Sequence, residues 1–193
     1  MKVFIQSIVA QILLNPYIFW RGYQAIPPQK SWRIPYVLFF ILELSLFFFG
    51  FTFRNVLPDS VMIAIQYICN TWYIASIYIT LSLLVLEVLR LSNRFFHWFP
   101  GWMTGHWKQT KLTLFFLIIA IVTGLMFHAY HVVAYPIVKD VYVTLPKGSS
   151  ERDSMTIVMM SDLHIGEMIG KELVQRYVKM SNEQHPDMVV LVG

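Results

Sequence analysis

The chain has 193 residues, 56% of them hydrophobic and 13% charged, and its mean hydropathy is +0.56. A soluble globular domain carries about 25% charged residues, so the composition excludes an ordinary water-soluble protein and points to a membrane protein. The net charge of +4 does not indicate nucleic acid, because the basic residues cluster in short stretches beside apolar runs, where they orient membrane segments.

The first apolar stretch, residues 3–20, follows Lys2 and contains no small-x-small cleavage site, so it is expected to be retained. A bilayer crossing needs about 20 mostly apolar residues. By that measure residues 3–20 form the weakest of four candidate spans, diluted by Gln6, Gln11, Asn15 and Pro16. The second, residues 36–53, follows Pro35 and is interrupted by Glu43. The third and fourth, residues 61–89 and 112–135, are each long enough to span with tilt. Residues 60–86 and 112–138 contain no Asp, Glu, Lys or Arg. The lone cysteine, Cys69, lies inside an apolar run and permits no intrachain disulfide.

The segments between the spans set the orientation. Residues 21–34 carry Arg21, Lys30 and Arg33 without an acid, and residues 90–111 carry Arg90, Arg94, Lys108 and Lys111 without an acid. Between the second and third spans, Arg54 stands against Asp59. Positive charge stays on the cytoplasmic side, so the first and third connections are expected there and the chain after the fourth span outside. Trp98, Trp102 and Trp107 fit an interfacial aromatic belt. Within the spans Glu43, His128 and His131 stand out, because a charge at the bilayer centre costs at least about 2.5–3.5 kcal/mol.

From residue 137 the pattern becomes that of a soluble α/β segment. Residues 141–145 alternate as a strand would, and residues 147–153 read as a charged turn. A strand over residues 155–160 follows, then a helix over 171–184 with Leu173, Val174, Tyr177 and Val178 as its apolar stripe. His185, Pro186 and Asp187 stop that helix, and residues 188–192 form a second apolar strand before Gly193. Strand, polar loop, helix and strand make a βαβ unit with a parallel pair. Such a unit of roughly 50 residues is too small to bury a core of its own, so the chain is expected to be part of a longer protein.

Asp162 and His164 follow the first of these strands. Two apart on an extended chain, a carboxylate and an imidazole point to one face, and together they suit Zn, Mn or Fe better than Ca. A bare Asp-x-His is more often a pair of solvated loop residues. Gly166, Gly170 and Lys171 form no phosphate loop, since no G-x-x-x-x-G-K-[ST] is present and Glu172 replaces the hydroxyl.

The context makes the pair specific. "MSDLHIG" after a strand, then a helix, then "HPDMVVLVG" closing a second strand, resembles the opening of the calcineurin-like metallophosphoesterases over about residues 155–193. In that family Asp-x-His ends the first core strand and Gly-Asp-x-x-Asp follows the second, so Gly193 falls where that glycine would be. The resemblance implies that Asp162 and His164 are ligands of one metal of a dinuclear centre of Mn, Fe or Zn. The later ligands of the family lie beyond residue 193, so the resemblance implies a complete centre only in a longer chain and an inactive 193-residue piece.

The expected architecture is therefore an α-helical membrane bundle of about four transmembrane helices over residues 1–136, followed over residues 137–193 by the start of an α/β metallophosphoesterase domain. The resemblance implies a membrane-anchored hydrolase of phosphodiester or pyrophosphate bonds, with a phosphoester substrate suited to lipid linkage and no nucleic-acid partner. The competing reading is a non-enzymatic transmembrane bundle that binds haem or metal through His128 and His131.

Overall fold

A computed structural model of the chain describes residues 2–144, 153–163, 165 and 170–192. Two compact units divide within one helix, residues 1–128 and residues 129–193.

The first unit is helical. Helices α1 (Lys2–Ala25), α2 (Lys30–Thr52), α3 (Asp59–Phe96) and α5 (Trp107–Ala134) are long, and α4 (Gly101–Gly105) is a short turn of helix. Among the described residues, α2, α3 and α5 are long and apolar enough to cross a membrane. Their outer faces leave Leu38, Ile41, Leu42, Leu84, Leu117 and Ile121 exposed, the arrangement that lipid requires and water penalises. With its three apolar spans the chain is a membrane protein.

Every helix that borders a basic segment runs further than hydropathy marks. The connection between α1 and α2 shrinks to residues 26–29, and the expected loop over residues 90–111 is mostly helix. Arg21, Lys30, Arg33, Arg90, Arg94, Lys108 and Lys111 therefore sit on helix ends, not in loops. Hydropathy measures where the hydrocarbon stops, whereas a helix stops only where a residue leaves helical geometry. For α3 that residue is His97, which adopts φ 49° while its N–H donates to the Asn93 carbonyl at 2.9 Å, and Pro100 follows. At 38 residues α3 is about 57 Å long, well beyond the ~30 Å hydrocarbon core.

Helices α1, α2 and α3 pack on one another. Met62, Ile65, Cys69 and Ser76 recur on one face of α3 at helical spacing and are buried. Gly50 on α2 lets that face approach closely: a Cβ there would come within 2.7 Å of Ile65 Cγ2. Gly22 on α1 gives room to the Tyr36 ring of α2, whose hydroxyl donates to the carbonyls of Ile18 and Phe19 at 3.1 Å each. Helix α5 meets α2 through Tyr36 against Phe115 and Trp32 against Phe116. It meets α3 through Arg90, which lies 5.2 Å above the Trp107 ring.

In the second unit, strands β1 (Ile157–Ser161) and β2 (Met188–Val192) pair in parallel, with Ile157 opposite Met188 and Ser161 opposite Val192. Helix α6 (Lys171–Glu183) connects them, completing the expected βαβ unit. Its half-covered stripe holds Leu173, Val174, Tyr177 and Met180, while Val178 is 50% exposed. Arg176, at the edge of that stripe, donates to the Ala134 carbonyl and lies 5.4 Å above the Tyr135 ring, tying α6 to the end of α5.

The structure departs from the sequence pattern at two places. Residues 141–144 form no strand and pair with no other segment among the described residues, and Tyr142 is 93% exposed. Alternation marks a segment able to pair, but a strand exists only where a second backbone supplies the hydrogen bonds. Strand β1 begins at Ile157 instead of residue 155, because the turn residue Asp187 caps its entry: Asp187 Oδ2 accepts from the Thr156 N–H at 2.9 Å and its own N–H donates to the Thr156 carbonyl at 2.9 Å. Residue 145 and most of the expected turn over 147–153 lie outside the described residues.

Candidate functional site

Strand β1 delivers Asp162 to the carboxyl edge of the parallel pair. Its N–H donates to the Val192 carbonyl at 3.0 Å, so the last rung of the ladder holds the backbone of the candidate ligand beside the end of β2. There the chain turns sharply, with Asp162 at φ 52°, a left-handed conformation that Asp and Asn tolerate better than most residues. The turn leaves the carboxylate exposed at the edge where ligands of open α/β sheets collect.

His164 and Gly193 lie outside the described residues. Among the described residues no group of three or more His, Cys, Asp or Glu side chains converges. What the structure brings to the edge is thus one carboxylate donor on a backbone fixed by a strand ladder. A hard, exposed oxygen donor is one ligand of the kind that divalent cations take, and Asp162 could supply it. The polar stop at residues 185–187 proves to be part of the scaffold: His185 has φ 48° and donates its N–H to the Asn182 carbonyl, closing α6.

The intramembrane ionisable residues separate into two cases. His128 and His131 are exposed on α5, and the His131 ring rests 4.7 Å from that of Tyr135. Glu43 is only 4% exposed and sits at a junction of three helices. Its Oε1 accepts from Gln11 Nε2 at 2.7 Å, and its Oε2 accepts from Asn15 Nδ2 at 2.9 Å. Asn15 also donates to Gln11 Oε1 and accepts from Trp72 Nε1 at 2.9 Å. Carboxylate, two amides and an indole satisfy one another, so Gln11 and Asn15, two of the residues that dilute α1, join it to α2 and α3.

A direct consequence follows for stability. Glu43→Leu strips two acceptors from buried amides and is expected to destabilise the bundle by about 1–3 kcal/mol, whereas Glu43→Gln, which keeps one acceptor oxygen, should lose less. Thermal unfolding in detergent, followed by helical circular dichroism, reads the difference. Equal melting temperatures for Glu43→Leu and the parent would show that the cluster does not join the helices.

The chain is similar over 81–98% of its length to three curated proteins, two of them named as transmembrane proteins with a metallophosphoesterase domain. It is 28% identical over 200 residues to "Transmembrane protein with metallophosphoesterase domain" of Danio rerio, covering 98% of this chain and 45% of that protein. The protein of the same name in Bos taurus is 25% identical over 171 residues, covering 85% of this chain and 37% of the relative. A Caenorhabditis elegans protein carrying the metallophosphoesterase name is 24% identical over 160 residues, with 81% and 32% covered. The chain thus spans less than half the length of each of these curated relatives. No family model and no solved structure matches it.

Proposed function

We propose that this chain is the membrane-embedded and opening part of a metal-dependent phosphoesterase. Residues 1–136 form the membrane domain, with α1 as a fourth span whose Gln11 and Asn15 are hydrogen-bonded to α2 and α3 inside the bundle. Residues 137–193 open an α/β hydrolase domain on the extracytoplasmic side. Asp162 and His164 hold one metal of a Mn, Fe or Zn pair, and the substrate is a phosphodiester or pyrophosphate. A lipid-linked phosphoester is the substrate most accessible to a site tethered beside a bilayer.

The observation that carries this reading is the placement of Asp162 at the carboxyl edge of a parallel βαβ pair, in a chain similar over 98% of its length to a transmembrane protein with a metallophosphoesterase domain. Two metal ions, when bound, supply Lewis-acid polarisation and charge stabilisation for displacement at phosphorus. The residues of this chain supply position: the β1 to β2 ladder fixes the backbone of Asp162, and the left-handed turn presents its carboxylate outward. One carboxylate and one imidazole cannot hold two metals, so the 193-residue chain alone is expected to show no turnover.

The test uses a form of the protein extended to the length of its relatives. Hydrolysis of bis(p-nitrophenyl) phosphate should fall at least about 100-fold after chelation and return with Mn or Zn but not with Ca. Hydrolysis that survives metal removal, or its absence with every divalent metal in a folded preparation, would refute the proposal.

A further inference from the structure

The helical unit contains a cavity of about 720 Å³ between α1, α2, α3 and α5, within the size range of small-molecule sites. It lies toward the end of the bundle where α1 and α3 finish and α2 and α5 begin, the end that carries the basic residues. Its lining is charged at that end and apolar toward the other. Arg21, Arg90 and Lys111 line the charged end together with one carboxylate, Glu87. Arg21 pairs with Glu87, and Arg90 Nη1 reaches the same Oε1 at 3.3 Å. The Nε of Arg90 is buried without a hydrogen-bond partner, and among the described residues Lys111 has no carboxylate partner. Three cations stand with one anion, which leaves that end of the cavity positive.

One face of α5 gives the order of this chemistry along the helix. Trp107 and Lys111 stand at the top, and Phe115, Ile118, Val122 and Met126 continue below at helical spacing into the cavity. From Lys111 to Met126 is about 22 Å of helix, deeper than the ~15 Å of hydrocarbon in one leaflet. An aromatic and a cation at headgroup level above an acyl-length apolar slot match an anionic phospholipid, head and tail. Basic pockets between transmembrane helices bind such lipids, with each nearby cation contributing comparably.

We propose that this cavity is a binding site for one anionic phospholipid, its phosphate between Arg90 and Lys111 and an acyl chain along Phe115, Ile118 and Val122. The site is independent of the hydrolase reading, since it uses none of the residues at the sheet edge.

The experiment is native mass spectrometry of the purified 193-residue chain titrated with phosphatidylglycerol or phosphatidylcholine of matched acyl chains. Phosphatidylglycerol should bind at one equivalent and in preference to phosphatidylcholine. Lys111→Gln should weaken it roughly fivefold, whereas Lys111→Arg should retain it. Ala75→Trp, which fills the cavity wall, should remove the bound lipid with every cation still present. Glycerol phosphate, a headgroup without a tail, should not compete. Equal affinity for the two lipids, retention of phosphatidylglycerol by both Lys111→Gln and Ala75→Trp, or displacement by glycerol phosphate would each overturn the proposal. Should Ala75→Trp fail to fold, the pair of lysine variants decides alone.

Discussion

If the chain acts as proposed, replacing Asp162 with asparagine in the extended protein is expected to lower metal-dependent phosphodiester hydrolysis by at least about 100-fold, because on that proposal it removes an anionic ligand where the nucleophile must be activated. The substitution isolates chemistry from folding. The bond that fixes this position runs from the backbone N–H of Asp162 to the Val192 carbonyl, which a side-chain change leaves intact. Asparagine also accepts the left-handed backbone, so φ 52° imposes no new strain. His164→Gln should cause a loss of the same order, on the strength of its place two residues after Asp162 in the Asp-x-His motif. Metal content measured beside kcat should fall with activity while circular dichroism stays unchanged. An Asp162→Asn protein that keeps its rate within a few-fold would remove Asp162 from the metal centre.

The second large effect concerns orientation, where the outcome is all or none. Seven cations, Arg21, Lys30, Arg33, Arg90, Arg94, Lys108 and Lys111, belong to the end of the bundle where α1 and α3 finish and α2 and α5 begin. The opposite turn between α2 and α3 has Arg54 against Asp59. Positive charge crosses a membrane poorly during insertion, so the cationic end should stay cytoplasmic and the chain after α5 should be outside. With Cys69→Ser as background, Ser149→Cys should react with an impermeant thiol reagent on intact cells. Thr104→Cys, on the exposed α4, should react only after permeabilisation. Labelling in the reverse pattern would show the orientation to be inverted.

Features that depend on local chemistry were legible before any fold was known. Three apolar runs became α2, α3 and α5, since a bilayer-spanning helix satisfies its own backbone and needs only length and hydropathy. The helix expected over residues 171–184 ends one residue earlier, and the strand over 188–192 has the boundaries expected. The Asp-x-His motif marked where a strand should end, and Asp162 is the first residue after β1.

Tertiary structure decided what depends on distant partners. Gln11 and Asn15 read as defects in a weak span because the residues that satisfy them, Glu43 and Trp72, lie on two other helices. Residues 141–144 carried the alternation of a strand but found no partner among the described residues, whereas 157–161 found β2. The cationic end of an apolar slot has no signature in any one segment, because four helices each contribute one part of its wall. Sequence by itself determined the three spans that became α2, α3 and α5 and offered Asp162 and His164 as candidate donors, because hydropathy and donor chemistry belong to residues. Which polar groups are satisfied, which strand pairs and where a cavity opens belong to pairs of elements far apart in the chain, so only their packing could decide them.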